Sequence, residues 1–209
     1  MFNSNEKYFG RVKHKIEYFG YVLDIFEDER IVKIFEVKGG RRVERRMLIR
    51  GKIGQVVGEQ HFMLFEVMLK ENSQIKVFDR VYIGPGPKAN IEMIIQKIDY
   101  NALTEIAKSR LEEVIKKIIK DTENKWVNFF NVAGPITPKL HVLELLPHIG
   151  KKKMWIIIRE REIKPFTTFK DIEERTGIDP VKAICGRIIE EIVDNQKYHI
   201  FVYKPKQPK

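Results

Sequence analysis

Aromatic and β-branched residues fill short runs through the first hundred positions, and these runs read as strands. "YFGYVLDIF" (18–26) is the first, "EDER" turns the chain, and "IVKIFEV" (31–37) is the second, which together predict a hairpin. "KGGRR" reads as the next turn and "RVERRMLI" as a third strand. "HFMLFEVML" (61–69), "RVYIG" (80–84, ended by "GPGP") and "IEMIIQKI" (91–98) complete the set. Five or six short strands at near-regular spacing point to a small barrel rather than an α/β layer.

After Tyr100 the apolar period lengthens to that of a helix. "NALTEIAKSRLEEVIKKIIKD" puts Ile106, Leu111, Val114, Ile115, Ile118 and Ile119 on one face. Thr122 is placed as the cap of the next helix, "ENKWVNFFNVA", which stops at Gly134 and Pro135. Thr137 and Pro138 then suit the start of a helix through "PKLHVLELL". Helix resumes over 151–162, and "KPF" breaks it. A short helix starts at Phe169, and a longer one at Pro180 behind the N-cap Asp179. "KYHIFVY" (197–203) reads as a last strand.

The fold class expected is α+β: an N-terminal small OB-like β-barrel followed by a C-terminal helical domain with tandem helix-hairpin-helix motifs. The divisions are a basic tail over 1–17 and the barrel over 18–100, with an arginine-rich hairpin at 38–52. The helical domain covers 101–203, and a disordered tail covers 204–209.

Composition narrows the class. With 209 residues, 43% hydrophobic and 33% charged, the chain can build a real core. The high charged fraction hints at a thermophile. One cysteine, Cys185, excludes an internal disulfide, a four-cysteine zinc site and a cysteine-held iron–sulfur cluster. It sits in an apolar helical pattern and reads as a buried small hydrophobe. No run approaches the roughly 18 apolar residues of a membrane span, and the first residues lack a signal-peptide core. A cytoplasmic location is expected.

The net charge of +10 points to a polyanion partner. Much of the surplus in the first half is concentrated over 38–52, with seven basic residues and one acid. Arg41, Arg42, Arg45 and Arg46 sit in pairs around Glu44. On a strand each pair splits between both faces, and an isolated two-stranded arm would offer all four to phosphates. A solubilising charge run is the plain alternative. The barrel aromatics Tyr82, Phe62, Phe65 and Phe78 are candidates for stacking bases, with core packing the favoured role for each.

The second half carries a hidden repeat. "LLPHIGKKKMW" aligns with "RTGIDPVKAI": Pro147 falls on Thr176, His148 on Gly177, Ile149 on Ile178, Gly150 on Asp179 and Lys151 on Pro180. Each unit is read as helix, corner, helix, over 138–162 and 169–193, with the central Ile facing inward. The pattern resembles the helix-hairpin-helix motif. Its chemistry is general: backbone N–H groups at the second helix start, with the helix dipole, attract one phosphate. A following Lys adds Coulomb attraction and counterion release. Such a grip is largely indifferent to sequence. Pro180 removes an N–H and Asp179 would repel a phosphate, so the second copy is expected to pack and the first to bind. Its contact set is His148, Ile149, Gly150, Lys151, Lys152 and Lys153. The alternative is that both corners merely close a bundle. His148 stands at a glycine position; three roles are open to it, namely a left-handed residue pointing outward, an added phosphate or sugar contact, or an incidental surface residue.

The whole chain from Tyr18 to Tyr203 resembles an archaeal family, domain of unknown function 655. "FMLFEV", "RVYIGPG", "FFNVAGPITPKLHVLELLPHIGKKKMW" and "PFTTFKDIEER" carry the resemblance. It implies an OB-like barrel joined to a helix-hairpin-helix region, nucleic-acid binding with RNA favoured over DNA, and a setting in translation or ribosome biogenesis. Two departures stand out: the family's corner usually reads Pro-Gly-Ile-Gly where this chain has "PHIG", and the segment 30–52 is longer and more basic.

No enzyme is expected. The five histidines are scattered, no metal-ligand spacing or nucleophile–base pairing occurs, and "YIGPGP" lacks the Lys-Ser/Thr of a phosphate loop. Asp171 lies near the distance of a glycosylase aspartate but reads as a first-turn helix residue. The pairs Glu112–Glu113, Glu173–Glu174 and Glu190–Glu191 read as solvated faces. No cofactor, metal, membrane or small-molecule substrate is expected. The competing reading is a protein-interaction module docking on a ribosomal or RNA polymerase subunit, favoured if Trp126, Phe129 or Phe130 is exposed. DNA-repair-type DNA binding comes third.

Overall fold

The computed structural model describes residues 15–38, 41–193 and 196–203. Residues 1–14, 39–40, 194–195 and 204–209 lie outside the described residues, and with them the expected disordered tail and the centre of the expected "KGGRR" turn. The architecture is mixed α+β, a curled five-stranded antiparallel sheet covered by helices. Its strands are β1 (Phe19–Lys38), β2 (Arg41–Gly58), β3 (Leu64–Leu69), β4 (Arg80–Tyr82) and β5 (Ile91–Ile98), in the order β4-β1-β2-β3-β5. The edges β4 and β5 are not paired with each other, so the curl stays open.

Alternation buries both faces of this sheet. Val22, Val56, Val67, Val81 and Ile91 pack into the inside of the curl. Tyr21, Leu23, Val57 and Leu64 point the other way and join a core that continues through all five helices. A bulge between Val22 and Asp24 resets the register of β1 against β2 and marks where the first helix attaches. Thr104 caps α1 (Glu105–Asp121), accepting from the Ala107 N–H at 3.0 Å while its hydroxyl donates to Asp24 at 2.7 Å. Arg110 donates to the Leu23 carbonyl at 3.0 Å. Sheet and helices are thus tied by one core and by polar bonds at the bulge.

"EDER" is not a turn. β1 runs unbroken through it, and β1 and β2 pair continuously from Gly20↔Gly58 to Lys38↔Arg41. β3 leaves β2 at Ile53, and β4 leaves β1 at Tyr21. From Glu27↔Lys52 outward the two strands run on as a two-stranded arm of about 40 Å at 3.3 Å per residue. Beyond Glu27↔Lys52 the two strands have only each other as strand partners among the described residues.

α2 (Glu123–Val132) follows α1 at once. Thr122 precedes it without capping it: its hydroxyl donates to the Ile118 carbonyl and accepts from Trp126 Nε1 at 2.9 Å. Ile106 is exposed, and Ala107 takes its place in the core. The helix expected over "PKLHVLELL" is a small hairpin, β6 (Pro135–Thr137) with β7 (Leu140–His141), and then one 3-10 turn (Val142–Leu145). Val142 donates back to the Gly134 carbonyl, and the His141 ring accepts from the Leu143 N–H, which closes the turn too early for an α-helix. α3 (Lys151–Ile163), α4 (Phe169–Thr176) and α5 (Pro180–Val193) stand where the pattern places them.

The expected last strand, 197–203, is a loop wrapped on a buried carboxylate. Glu191 accepts from the backbone N–H of Ile200, Phe201 and Val202 at 2.9, 3.0 and 2.8 Å and from Arg187 Nε at 2.8 Å. It has no exposed surface, so the reading of Glu190–Glu191 as a solvated face fails at Glu191. The end of the basic tail is also built in. Glu17 is buried and accepts from the N–H groups of Gln60, His61 and Met63.

Candidate nucleic-acid interface

The two aligned corners share a backbone path. His148 has φ 66° and Gly177 φ 67°, the left-handed region that an L side chain enters at a cost. The next residues, Ile149 and Ile178, are both buried. The corners lie side by side: Pro147, His148, Ile149, Lys153, Gly177, Ile178, Asp179, Lys182 and Ala183 line one shallow groove. A Cβ added at Gly186 on α5 would stand 3.1 Å from Pro147 Cγ, so this helix packs close beneath the first corner. The leading element of the first unit is the 3-10 turn, not a helix.

The two helix starts differ in what they offer. At α5, the Asp179 carboxylate accepts from the Lys182 N–H at 2.9 Å, and Pro180 has no N–H to give. This start is capped from within. At α3, Gly150 occupies the cap position in an extended conformation and makes no side-chain bond to the helix. A Cβ placed on it would meet nothing within 4 Å, so the space before the helix is open. His148, Gly150, Lys151 and Lys152 are exposed, Lys153 is half-buried and Ile149 is a core residue. Five of the six expected corner residues therefore reach the surface, and Ile149 holds the corner from inside. Lys182 is exposed in the same groove and was missed, because the alignment turned attention to Asp179 and Pro180.

The arginines stand elsewhere. Arg45 pairs with Ile34 and Arg46 with Lys33 on the arm, and both are exposed. Arg41 and Arg42 are strand residues at the arm's tip, paired with Lys38 and Val37; their side chains lie outside the described residues. At the arm's root Arg30 reaches Glu66 with two bonds of 3.2 and 3.1 Å, and Arg50 pairs with Glu29. Burial alone would push the Glu66 carboxyl up, but Arg30, Gln96 and Gln55 together hold it below its usual range.

The barrel aromatics serve packing. Phe62 is buried beside Trp126, with ring centroids 6.3 Å apart, and Phe65 and Phe78 are half-buried against the two cores. Tyr82 sets its ring edge on Phe19 and donates its hydroxyl to the Pro85 carbonyl at 2.8 Å. Trp126 and Phe130 are core residues and Phe129 is half-buried, so two of the three aromatics named for the docking alternative are not exposed. Asp171 accepts from the Thr167 N–H at 2.9 Å and pairs with Arg175. The Thr167 bond, with Arg175 nearby, lowers its carboxyl pKa. Among the described residues no three His, Cys, Asp or Glu side chains are placed to hold a metal ion, and no helix is long and apolar enough to cross a membrane.

The family model described as "Protein of unknown function (DUF655)" matches residues 26–203. The chain belongs to this family. An uncharacterized protein of Methanocaldococcus jannaschii, MJ0038, is 47% identical over 152 residues, which span 72% of this chain and 70% of that one. The crystal structure of Af1531 from Archaeoglobus fulgidus, of the same family, is similar with a TM-score of 0.75 at 42% identity. That match covers 90% of this chain and 100% of the other. The similarity therefore extends over the sheet and the helices alike.

Proposed function

We propose that this protein is a non-enzymatic nucleic-acid-binding protein that grips backbone phosphates of structured RNA. In this reading the curled sheet is an OB-like half-barrel and the two corners are a helix-hairpin-helix pair with divided roles. The observation that carries it is the contrast between the two helix starts: α5 is capped by Asp179, whereas α3 begins uncapped at Gly150 and is followed by Lys151, Lys152 and Lys153. An uncapped helix start in open space, with three cations in its first turn, suits a phosphate. The arm would supply a second set of cations in Arg41, Arg42, Arg45 and Arg46, on a different element from the corner, so a bound molecule would contact both. Contact with both favours a folded RNA, as in the ribosome, over a short ligand. His148 holds the corner open and adds an exposed ring beside it.

A salt titration of binding to duplex and single-stranded RNA tests this. Counterion release gives log K a slope of roughly 0.7–0.9 per phosphate contact, so replacing Lys151–Lys153 with Ala should flatten it by about 2. An unchanged slope would place the contact elsewhere, and no affinity at low salt for any nucleic acid would end the reading.

One observation favours a protein partner instead. Ile31 and Leu48 are cross-strand partners on the arm, 70% and 54% exposed. An apolar pair on a solvated ribbon suits docking on a ribosomal or polymerase subunit. Loss of such docking on I31S/L48S, with RNA affinity unchanged, would support it.

A further inference from the structure

Trp155 lies on α3, five residues and about 7.5 Å of helix past Gly150, and is 62% exposed. A large aromatic at the centre of a helix's solvent face needs a reason, since burying it elsewhere would stabilise the fold. Helical spacing sets its neighbours. Lys151 and Lys152 lie one turn before it and Arg159 one turn after, all exposed, and Ile158 is half-buried beside it. Glu162 and the exposed Ile163 lie a further turn on. The buried face of the helix, Met154 and Ile157, points the other way. No ring contact involves Trp155 among the described residues.

We propose that Trp155 is a stacking platform for an unpaired base of the RNA whose backbone lies along the lysines; this rests on the reading above and names the feature that the site selects. The case is one of charge and shape. A protein-binding hot spot is ringed by contacts that exclude water, whereas three of the four residues one turn from Trp155 are cations. A flat indole among cations matches an anionic chain with an aromatic face, and stacking on it needs no particular base. A fully paired helix keeps its bases stacked on one another and cannot use the indole. A bulged or single-stranded nucleotide can. The protein would then prefer paired RNA interrupted by an unpaired base.

The test uses the full chain with two probes, a paired RNA duplex and the same duplex carrying one bulged 2-aminopurine. The wild type should bind the bulged probe roughly tenfold more tightly and quench its fluorescence. W155A should lose the preference and the quenching while keeping its affinity for the paired duplex, and W155F should retain most of both. If W155A binds and quenches like the wild type, the stacking site is wrong and phosphate binding stands; a protein covering Trp155 predicts that same result. If neither probe binds at low salt, both readings fail together.

Discussion

His148 and Gly177, 29 positions apart, share one backbone feature: a left-handed φ of 66° and 67°, each followed by a buried isoleucine. Only one of them is the residue this backbone favours. Substitutions at the two should therefore have opposite signs. Gly177→Ala should destabilise by about 1 kcal/mol through backbone strain alone, since its Cβ would meet nothing within 4 Å. His148→Gly should raise stability by about 0.5–1 kcal/mol. Urea midpoints of the two variants decide this; equal signs would mean that the corners are not conformational equivalents.

Glu191 should be among the costliest positions to change. Its carboxylate receives three consecutive N–H groups and Arg187 with no water contact. Glu191→Ala takes from the buried Arg187 its 2.8 Å ion pair, leaving only Glu190 at 3.5 Å, and orphans three N–H groups, at a cost of about 3–5 kcal/mol. Hydrogen exchange at Ile200, Phe201 and Val202 should accelerate before the rest of the core does. Retained protection there would show that the loop has other supports.

Acid should weaken the fold through His61. Burial, with Lys15 and Lys125 nearby, lowers its pKa to about 4. The unfolded chain takes up that proton near 6.5, so between about pH 6.5 and 4 the unfolded state holds more protons and stability falls as pH falls. Because the ring is only about half-buried, solvent screening discounts the shift, and a loss on the order of 1 kcal/mol is expected across that window. His61→Gln, which cannot take the proton, should flatten the profile. Denaturation at pH 7 and 4.5 would show it, and parallel profiles would exclude His61 as the cause.

Cys185 should be inert until the protein opens. It is 1% exposed and burial pushes its thiol up to about 12, which removes the thiolate that alkylation requires. Iodoacetamide at pH 8 should label it only in denaturant. Rapid labelling of the native chain would reveal local opening between α1 and α5.

Where local patterning decided the structure, the sequence was readable. "IEMIIQKI" is β5 with its ends as expected, and Asp179 begins its helix by capping. The failures share a cause, in that the deciding partner is far along the chain or absent. "EDER" carries turn residues but is strand because β2 pairs with it through "IRGK". "KYHIFVY" has strand composition, yet a glutamate side chain takes its N–H groups. "PKLH" has helix-start residues, but Gly134 and Val142 close a hairpin around them. At the corners the alignment puts His148 over Gly177, and both residues take a left-handed φ. The apolar run 154–158 covers more than one face of α3, so the pattern does not show that Trp155 is the one left exposed.

The Glu191 loop also bears on how the chain is made. The carboxylate sits in the core, but its N–H donors arrive only with residues 200–202, and Tyr203 then bonds to the His61 carbonyl at 3.1 Å beside the turn that Glu17 secures. Until those residues leave the ribosome, the last helix holds an acid that its surroundings cannot yet accommodate. Closure of the helical core around Glu191 thereby waits for residues 200–202, which supply its N–H donors from 9 to 11 positions further along the chain.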